Sequence, residues 1–214
     1  MQNLKFDKKS LLLYAVTDRS WVGRQTFLEQ VEEALAAGVT FLQLREKEMS
    51  DERFLSEASE IKKLAKKYNV PFVINDNVQV ALQSDADGVH VGQSDMEADN
   101  VRKLLGNEKI LGVSVQTVEQ AKVAEQRGAD YLGVGAVFNT STKTDAADVS
   151  YMTLKEICKA VSIPVVAIGG IDSNNVGQLA GSGIEGIAVI SALFSNESIR
   201  EAAKCLKKEI EAIV

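Results

Sequence analysis

Short runs rich in β-branched and apolar residues return eight times along the chain, and the stretches between them read as amphipathic helices. The runs are Leu11 to Thr17, Phe41 to Arg45, Pro71 to Asp76, Gly88 to Val91, Ile110 to Val115, Tyr131 to Phe138, Val165 to Gly169 and Gly186 to Ala192. Between them Phe27, Val31, Ala34 and Leu35 fall on one helical face, as do Ile199, Ala203, Leu206, Ile210 and Ile213. Thr117 with Gln120 has the form of a capping box, and Ser50 followed by Asp51 and Glu52 puts acid in a positive first turn. Parallel strands need crossover connections, so this alternation predicts a parallel sheet with helices covering it. Eight units in 214 residues leave roughly 27 residues each, lean but sufficient for a closed (β/α)8 TIM barrel. An open doubly wound sheet would usually carry a glycine-rich phosphate turn after its first strand. Here that strand runs into Val16-Thr17-Asp18-Arg19-Ser20-Trp21.

No low-complexity segment or charge block divides the chain, which has only two prolines, so one domain over residues 1–214 is expected. Acidic side chains outnumber basic ones, 30 to 24, and the net charge of -6 lacks the basic excess of a nucleic-acid binder. The longest apolar runs fall short of the roughly 18 residues a membrane helix needs, so no membrane partner is expected. The first ten residues and the short apolar run after them do not form a signal core, which leads to the expectation of a cytoplasmic address. Cys158 and Cys205 stand far apart in segments of helical pattern and read as two buried thiols, neither a disulfide nor a metal pair. His90 is the only histidine, which excludes a multi-histidine metal site. A homo-oligomer is compatible with the sequence, which carries nothing that fixes the number of copies.

In a barrel of this type chemistry belongs at the C-terminal strand ends, so polar residues there carry the functional reading. Gln43, Arg45 and Lys47 alternate, and the period of two puts them on the face opposite Leu42 and Leu44. An amide, a guanidinium and an ammonium converging on the mouth call for an anion. An ion-pair ladder with Glu46 or Glu48 is the structural alternative. Asp76 ends the third run and Asp95 follows the fourth; neighbouring strands lie about 4.8 Å apart, so the two could share a hard cation such as Mg2+. Asp95 could equally cap the helix after it. His90, on an inward strand position, is a secondary candidate, as apt to be a satisfied core histidine as a catalytic one. Ser114 offers a hydroxyl at the fifth strand end. Thr140, Ser141, Thr142 and Lys143 lie in the longest polar connection, whose hydroxyls and charge suit phosphate oxygens and whose length suits a lid. Gly169-Gly170-Ile171 and Ile190-Ser191-Ala192 end the last two runs, where such barrels commonly place main-chain amides around a phosphate. Two anion sites around one mouth imply two phosphorylated small-molecule substrates. They also imply electrostatic catalysis that needs no protein nucleophile.

These motifs, in order along nearly the whole chain, resemble the thiamine phosphate synthase family. The resemblance rests on Leu13 to Asp18, Gln43-Leu44-Arg45-Glu46-Lys47, Ile74-Asn75-Asp76, Gly88 to Met96, Gly112-Val113-Ser114, Thr140 to Lys143, Ala167 to Ile171 and Ile190-Ser191. It implies a transferase. Gln43, Leu44, Arg45, Glu46, Lys47, Asn75, Ser114 and Lys143 would bind an aminopyrimidine diphosphate, and Lys143, Arg45 and Ser114 would be the catalytic set. Asp76 and Asp95 would bind magnesium, while Thr140, Ser141, Thr142, Gly170, Ile190 and Ser191 would hold a thiazole phosphate. The implied mechanism is dissociative: diphosphate leaves the pyrimidine's exocyclic methylene and the thiazole nitrogen attacks the cation. Carbon dioxide is lost afterwards when the thiazole carries a carboxylate. A sister tautomerase shares the last two strands' motifs but handles no diphosphate, and this chain has Gln116 where the tautomerases carry a catalytic histidine. A phosphate-ligand sensor on the same barrel is the non-enzymatic alternative. Asn77 after Asp76 departs from the charged residue common in relatives.

Overall fold

The computed structural model describes residues 6–23, 25–93, 98–139 and 149–214, with the main chain only at 98 and 99. Eight parallel strands close a barrel in sequence order: β1 (Leu13–Val16), β2 (Phe41–Leu44), β3 (Phe72–Asn75), β4 (Gly88–Val91), β5 (Ile110–Val115), β6 (Tyr131–Val134), β7 (Val165–Ile168) and β8 (Gly186–Val189). Closure is direct, because Leu13, Tyr14 and Ala15 of β1 pair with Ile187, Ala188 and Val189 of β8. Every predicted strand is present, and most are shorter than the apolar run that announced them. Tyr131 to Phe138 continues past β6 as irregular chain, and Phe41 to Arg45 stops one residue early.

The connecting helices are α1 (Phe27–Ala36), α2 (Asp51–Lys67), α3 (Val78–Gln83), α4 (Ala98–Leu105), α5 (Val118–Gln126), α6 (Tyr151–Ala160), α7 (Ser191–Phe194) and α8 (Ile199–Glu211). Their starts follow local chemistry. Thr117 and Gln120 form the expected capping box on α5, Thr26 and Glu29 form another on α1, and Asp51 and Glu52 occupy the first turn of α2. The alternation fails once: β7 is followed by a single 3-10 turn, Val176–Leu179. The connection from β7 to β8 holds Gly177, Gly181 and Gly183 beside Asn174 and Asn175, residues that resist a regular helix.

Two apolar layers result. Side chains on one strand parity, including Leu42, Leu44, Ile74, Val89 and Leu132, pack against helix faces such as Val31 and Ala34 or Ala203, Leu206 and Ile210. Leu42 and Leu44 are fully buried there, and truncating such a leucine to alanine costs ~2–5 kcal/mol. The other parity fills the lumen. Phe41, Tyr14 and Tyr131 meet edge-on or tilted at its base, with Val73 and Val166 around them. The cysteine expectation is corrected: Cys158 is half-buried and Cys205 exposed. Cys205 sits next to Leu206 on α8, and a helix advances about 100° per residue, which carries it off the buried stripe. Burial still pushes the Cys158 thiol up to about 11. Among the described residues no helix is long and apolar enough to cross a membrane.

Candidate active site

Three neighbouring spaces lie at the C-terminal ends of the strands, sharing wall residues. A narrow shaft of about 80 Å3 descends into the lumen between Gln43, Arg45, Asn75, His90 and Ser114 on one side and Val166, Ile168 and Ala188 on the other. Through Arg45 it meets a groove of about 340 Å3 lined by Asp18, Arg19, Ser20, Glu46, Lys47 and Glu48. Through Ile168 and Ala188 it meets the β7 and β8 ends, which border a cleft of about 450 Å3 containing Asn139, Gly170, Ser173, Asn174, Ser191 and Ser195.

The β2 end is positioned by β1. The Arg45 main-chain amide donates to Thr17 Oγ1 at 3.0 Å, and Thr17 in turn donates its amide to the Gln43 carbonyl at 3.0 Å. Strand pairing thereby continues one step past β2 and holds Arg45 at the lip of the shaft. Gln43 faces inward as the alternation predicts. Lys47 departs from it: the strand ends at Leu44, so Lys47 lies on irregular chain and lines the groove beside Arg45 instead of the shaft. Leu44 turns its side chain into the helix-facing core, leaving only its main chain for the mouth. The cations of the mouth do not stand free of acids, so part of the ion-pair alternative is present beside the anion site. Asp18 lies 3.5 Å from Arg45 Nη1, and Glu46 pairs with Arg19 at 2.8 Å, with Glu57 on the same guanidinium. Burial raises the Glu46 carboxyl above its ordinary range, with Arg19 opposing; burial also works to lower the Arg19 guanidinium, but Glu57 and Glu46 together outweigh it and hold it more basic. Glu46 thus shapes the groove through Arg19.

Asn75 ends β3 and donates Nδ2 to Asp76 Oδ2 at 2.5 Å. Asp76 is exposed and sits at φ 61°, a left-handed conformation that a non-glycine residue adopts at a cost; its amide donates to the His90 carbonyl at 2.8 Å. Asn77 caps α3 by accepting from the Val80 amide and donates to Asp51 at 3.0 Å, a structural task that needs no charge. Ser114 stands at the upper end of β5 with its hydroxyl 2.9 Å from His90 Nε2, and its carbonyl accepts from Gln93 at 2.6 Å.

On the far side, Gly170 adopts φ 63°, and a Cβ there would lie 2.4 Å from the Asn139 carbonyl oxygen. Glycine is required at this point by the crossing of the chain after β6, whatever else binds there. Ile190 and Ser191 open α7, whose first amides have no acceptor within the helix. Thr140, Ser141, Thr142, Lys143 and Asp95 lie outside the described residues. Sequence reasoning missed Tyr14, Tyr131 and Asp18. The two tyrosines occupy inward positions by the same period of two that singled out Gln43, and reading β1 and β6 for polar atoms on that parity would have found them.

A family model described as thiamine monophosphate synthase matches residues 13–193. The thiamine-phosphate synthase of Ruminiclostridium cellulolyticum is 54% identical over 194 residues, covering 91% of this chain and 92% of that protein. That of Clostridium tetani is 50% identical over 192 residues, covering 90% and 92%. Among solved structures, thiamine phosphate pyrophosphorylase from Pyrococcus furiosus superposes with a TM-score of 0.89 at 38% identity, covering 97% of this chain and 98% of that one.

Proposed function

The chain belongs to the thiamine monophosphate synthase family, and on that premise we propose that it joins an aminopyrimidine diphosphate to a thiazole phosphate, releasing pyrophosphate. The observation that carries this reading is the shaft: a narrow, half-apolar passage with Arg45 and Lys47 in a groove of mixed charge at one end and a cleft of hydroxyls, amides and glycine at the other. Such a layout suits a flat aromatic ring held between two phosphate groups.

In this reading the pyrimidine enters the shaft among Gln43, Asn75 and Ser114, with its diphosphate toward Arg45 and Lys47. The bond from the exocyclic methylene carbon to the diphosphate oxygen breaks, leaving its electron pair on pyrophosphate. The thiazole nitrogen then supplies the pair for the new carbon–nitrogen bond. Arg45, Lys47 and Lys143 offset the charge that gathers on the departing oxygen, a contribution that grows toward the transition state and so raises the rate. The apolar wall of Val166, Ile168 and Ala188 keeps water from the carbocation. Gly170, Ile190 and Ser191, with Thr140, Ser141 and Thr142, hold the thiazole's phosphate.

A hard divalent cation fits the oxygen chemistry at the β3 end. The exposed Asp76 carboxylate would hold magnesium together with Asp95 and phosphate oxygens. Bound there, magnesium supplies positive charge to the leaving diphosphate. A cytoplasmic setting, with no nucleic-acid partner, belongs to the same reading.

The test is an assay with purified protein, aminopyrimidine diphosphate, thiazole phosphate and magnesium, following thiamine phosphate and pyrophosphate with a chelator control. Equal release of both products, abolished by chelation, is expected. Tight binding of thiazole phosphate without product would overturn the synthase reading in favour of a tautomerase or a sensor.

A further inference from the structure

Five side chains from five strands form one unbroken hydrogen-bond chain across the lumen. Gln43 Nε2 donates to the Tyr14 hydroxyl at 2.5 Å, the Tyr14 and Tyr131 hydroxyls are 2.8 Å apart, Tyr131 is 2.9 Å from His90 Nδ1, and His90 Nε2 is 2.9 Å from Ser114 Oγ. Gln43, Tyr14, Tyr131 and His90 are all buried. The barrel makes room for this arrangement by omitting side chains. A Cβ on Gly112 of β5 would lie 2.4 Å from the Tyr131 hydroxyl and 2.5 Å from His90 Nδ1, and one on Gly133 of β6 would lie 3.1 Å from His90 Cε1.

The chain has a direction. An amide nitrogen can only donate, so the Tyr14 oxygen accepts at that end. A hydroxyl oxygen can accept twice, so it is the need of each buried proton for an acceptor that sets the order: within these four bonds the Tyr14 proton has only the Tyr131 oxygen, and the Tyr131 proton then has only His90 Nδ1, which presents a lone pair. The proton of the neutral imidazole therefore sits on Nε2 and is donated to Ser114 Oγ. Burial raises both phenols above their ordinary values, so each hydroxyl keeps the proton it donates.

We propose that Tyr14, Tyr131 and His90 are positioning residues that orient the Ser114 hydroxyl as a hydrogen-bond donor to a lone pair on the aromatic ring of the pyrimidine substrate. With the opposite polarity Ser114 would direct its proton to His90 and could only accept. No proton is transferred; the relay selects which way each one points. The inference rests on the reading above that seats the pyrimidine against Ser114.

Because His90 is the only histidine, its ring nitrogens can be followed by 15N NMR without assignment. The full-length protein is expected to show the neutral ring protonated at Nε2 and bare at Nδ1. Tyr131→Phe removes the donor to Nδ1 and should bring in the Nδ1-protonated form. Its KM for the aminopyrimidine diphosphate should rise about tenfold, the scale of one neutral hydrogen bond, while KM for thiazole phosphate stays unchanged. Tyr14→Phe, which leaves Tyr131 in place but releases its polarity, should give a mixture of ring forms and a smaller rise in KM. Adding Tyr131→Phe to Ser114→Ala should cost nothing further, as one pathway requires. A wild-type ring protonated at Nδ1, or a Tyr131→Phe protein with wild-type ring signals and KM, overturns the relay. The expected ring signals with an unchanged KM in Ser114→Ala would instead overturn the placement of the pyrimidine against Ser114, and the positioning role with it.

Discussion

The groove beyond β2 and the cleft beyond β7 and β8 both suit phosphate oxygens, yet they are built from different materials. The groove gathers Arg19, Arg45 and Lys47 among Asp18, Glu46 and Glu48. In the cleft, Asp172 is the one charged side chain among the described lining residues, and it is occupied in a turn, accepting from the Asn174 amide at 2.7 Å. One is made of full charges of both signs, Arg19 and Arg45 among them held in ion pairs, the other of hydroxyls and main-chain dipoles fixed by the fold. The difference matches what each phosphate does in the proposed reaction. Charge accumulates on a leaving diphosphate, so its site contributes to the rate. A phosphate that is only carried through the reaction keeps its charge, so its site contributes to affinity.

The comparison can be broken most severely at the metal. Asp76→Ala combined with Asp95→Ala should lower kcat/KM by at least ~1,000-fold and abolish magnesium dependence, measured as initial rates across a magnesium titration. A double variant still active in chelator removes the metal from the account. Next in size is Arg45→Ala, for which a loss of ~100–1,000-fold, chiefly in kcat, is expected from steady-state kinetics; Lys143→Ala should behave alike. A change confined to KM would place Arg45 with the affinity site and erase the contrast. Ser191→Ala should raise KM for thiazole phosphate ~5–10-fold with kcat held, the cost of one hydrogen bond. Raising salt should sharpen the same distinction: between about 50 and 200 mM, KM for the diphosphate should climb more steeply than KM for the monophosphate, because exposed charges are screened and fixed dipoles less so. Gln116→Ala should change every parameter by no more than about twofold, since its main-chain amide, bonded to Gln120 Oε1 at 2.7 Å, survives the substitution.

Much of this molecule is legible without coordinates. Eight apolar runs between amphipathic segments implied the barrel because parallel neighbours need crossovers, and the inward position of Gln43 followed from a period of two. That rule holds only within a strand, and for this reason Lys47, three residues past the end of β2, went to the groove instead of the shaft. The missing helix after β7 has a local cause in its glycines and asparagines, which the alternation of the other units does not reveal. Cys205 shows the limit of pattern in a helix: the segment was identified correctly, and the face of a single residue at the stripe's border was not.

The sequence by itself determined the parity of each strand, the caps that start α1 and α5, and the set of polar residues gathered at the C-terminal ends. These depend on chemistry within a few residues, and local backbone geometry translates them directly. Closure into a barrel decided the rest. Only when β1 meets β8 and the lumen narrows do Tyr14 and Tyr131, separated by most of the barrel's strands in sequence, come within 2.8 Å. Only the tertiary structure pairs Arg19 with Glu46 and Glu57, or makes Gly170 unavoidable against the Asn139 carbonyl. Such contacts depend on distances between segments remote in the chain, and no local pattern encodes a distance of that kind.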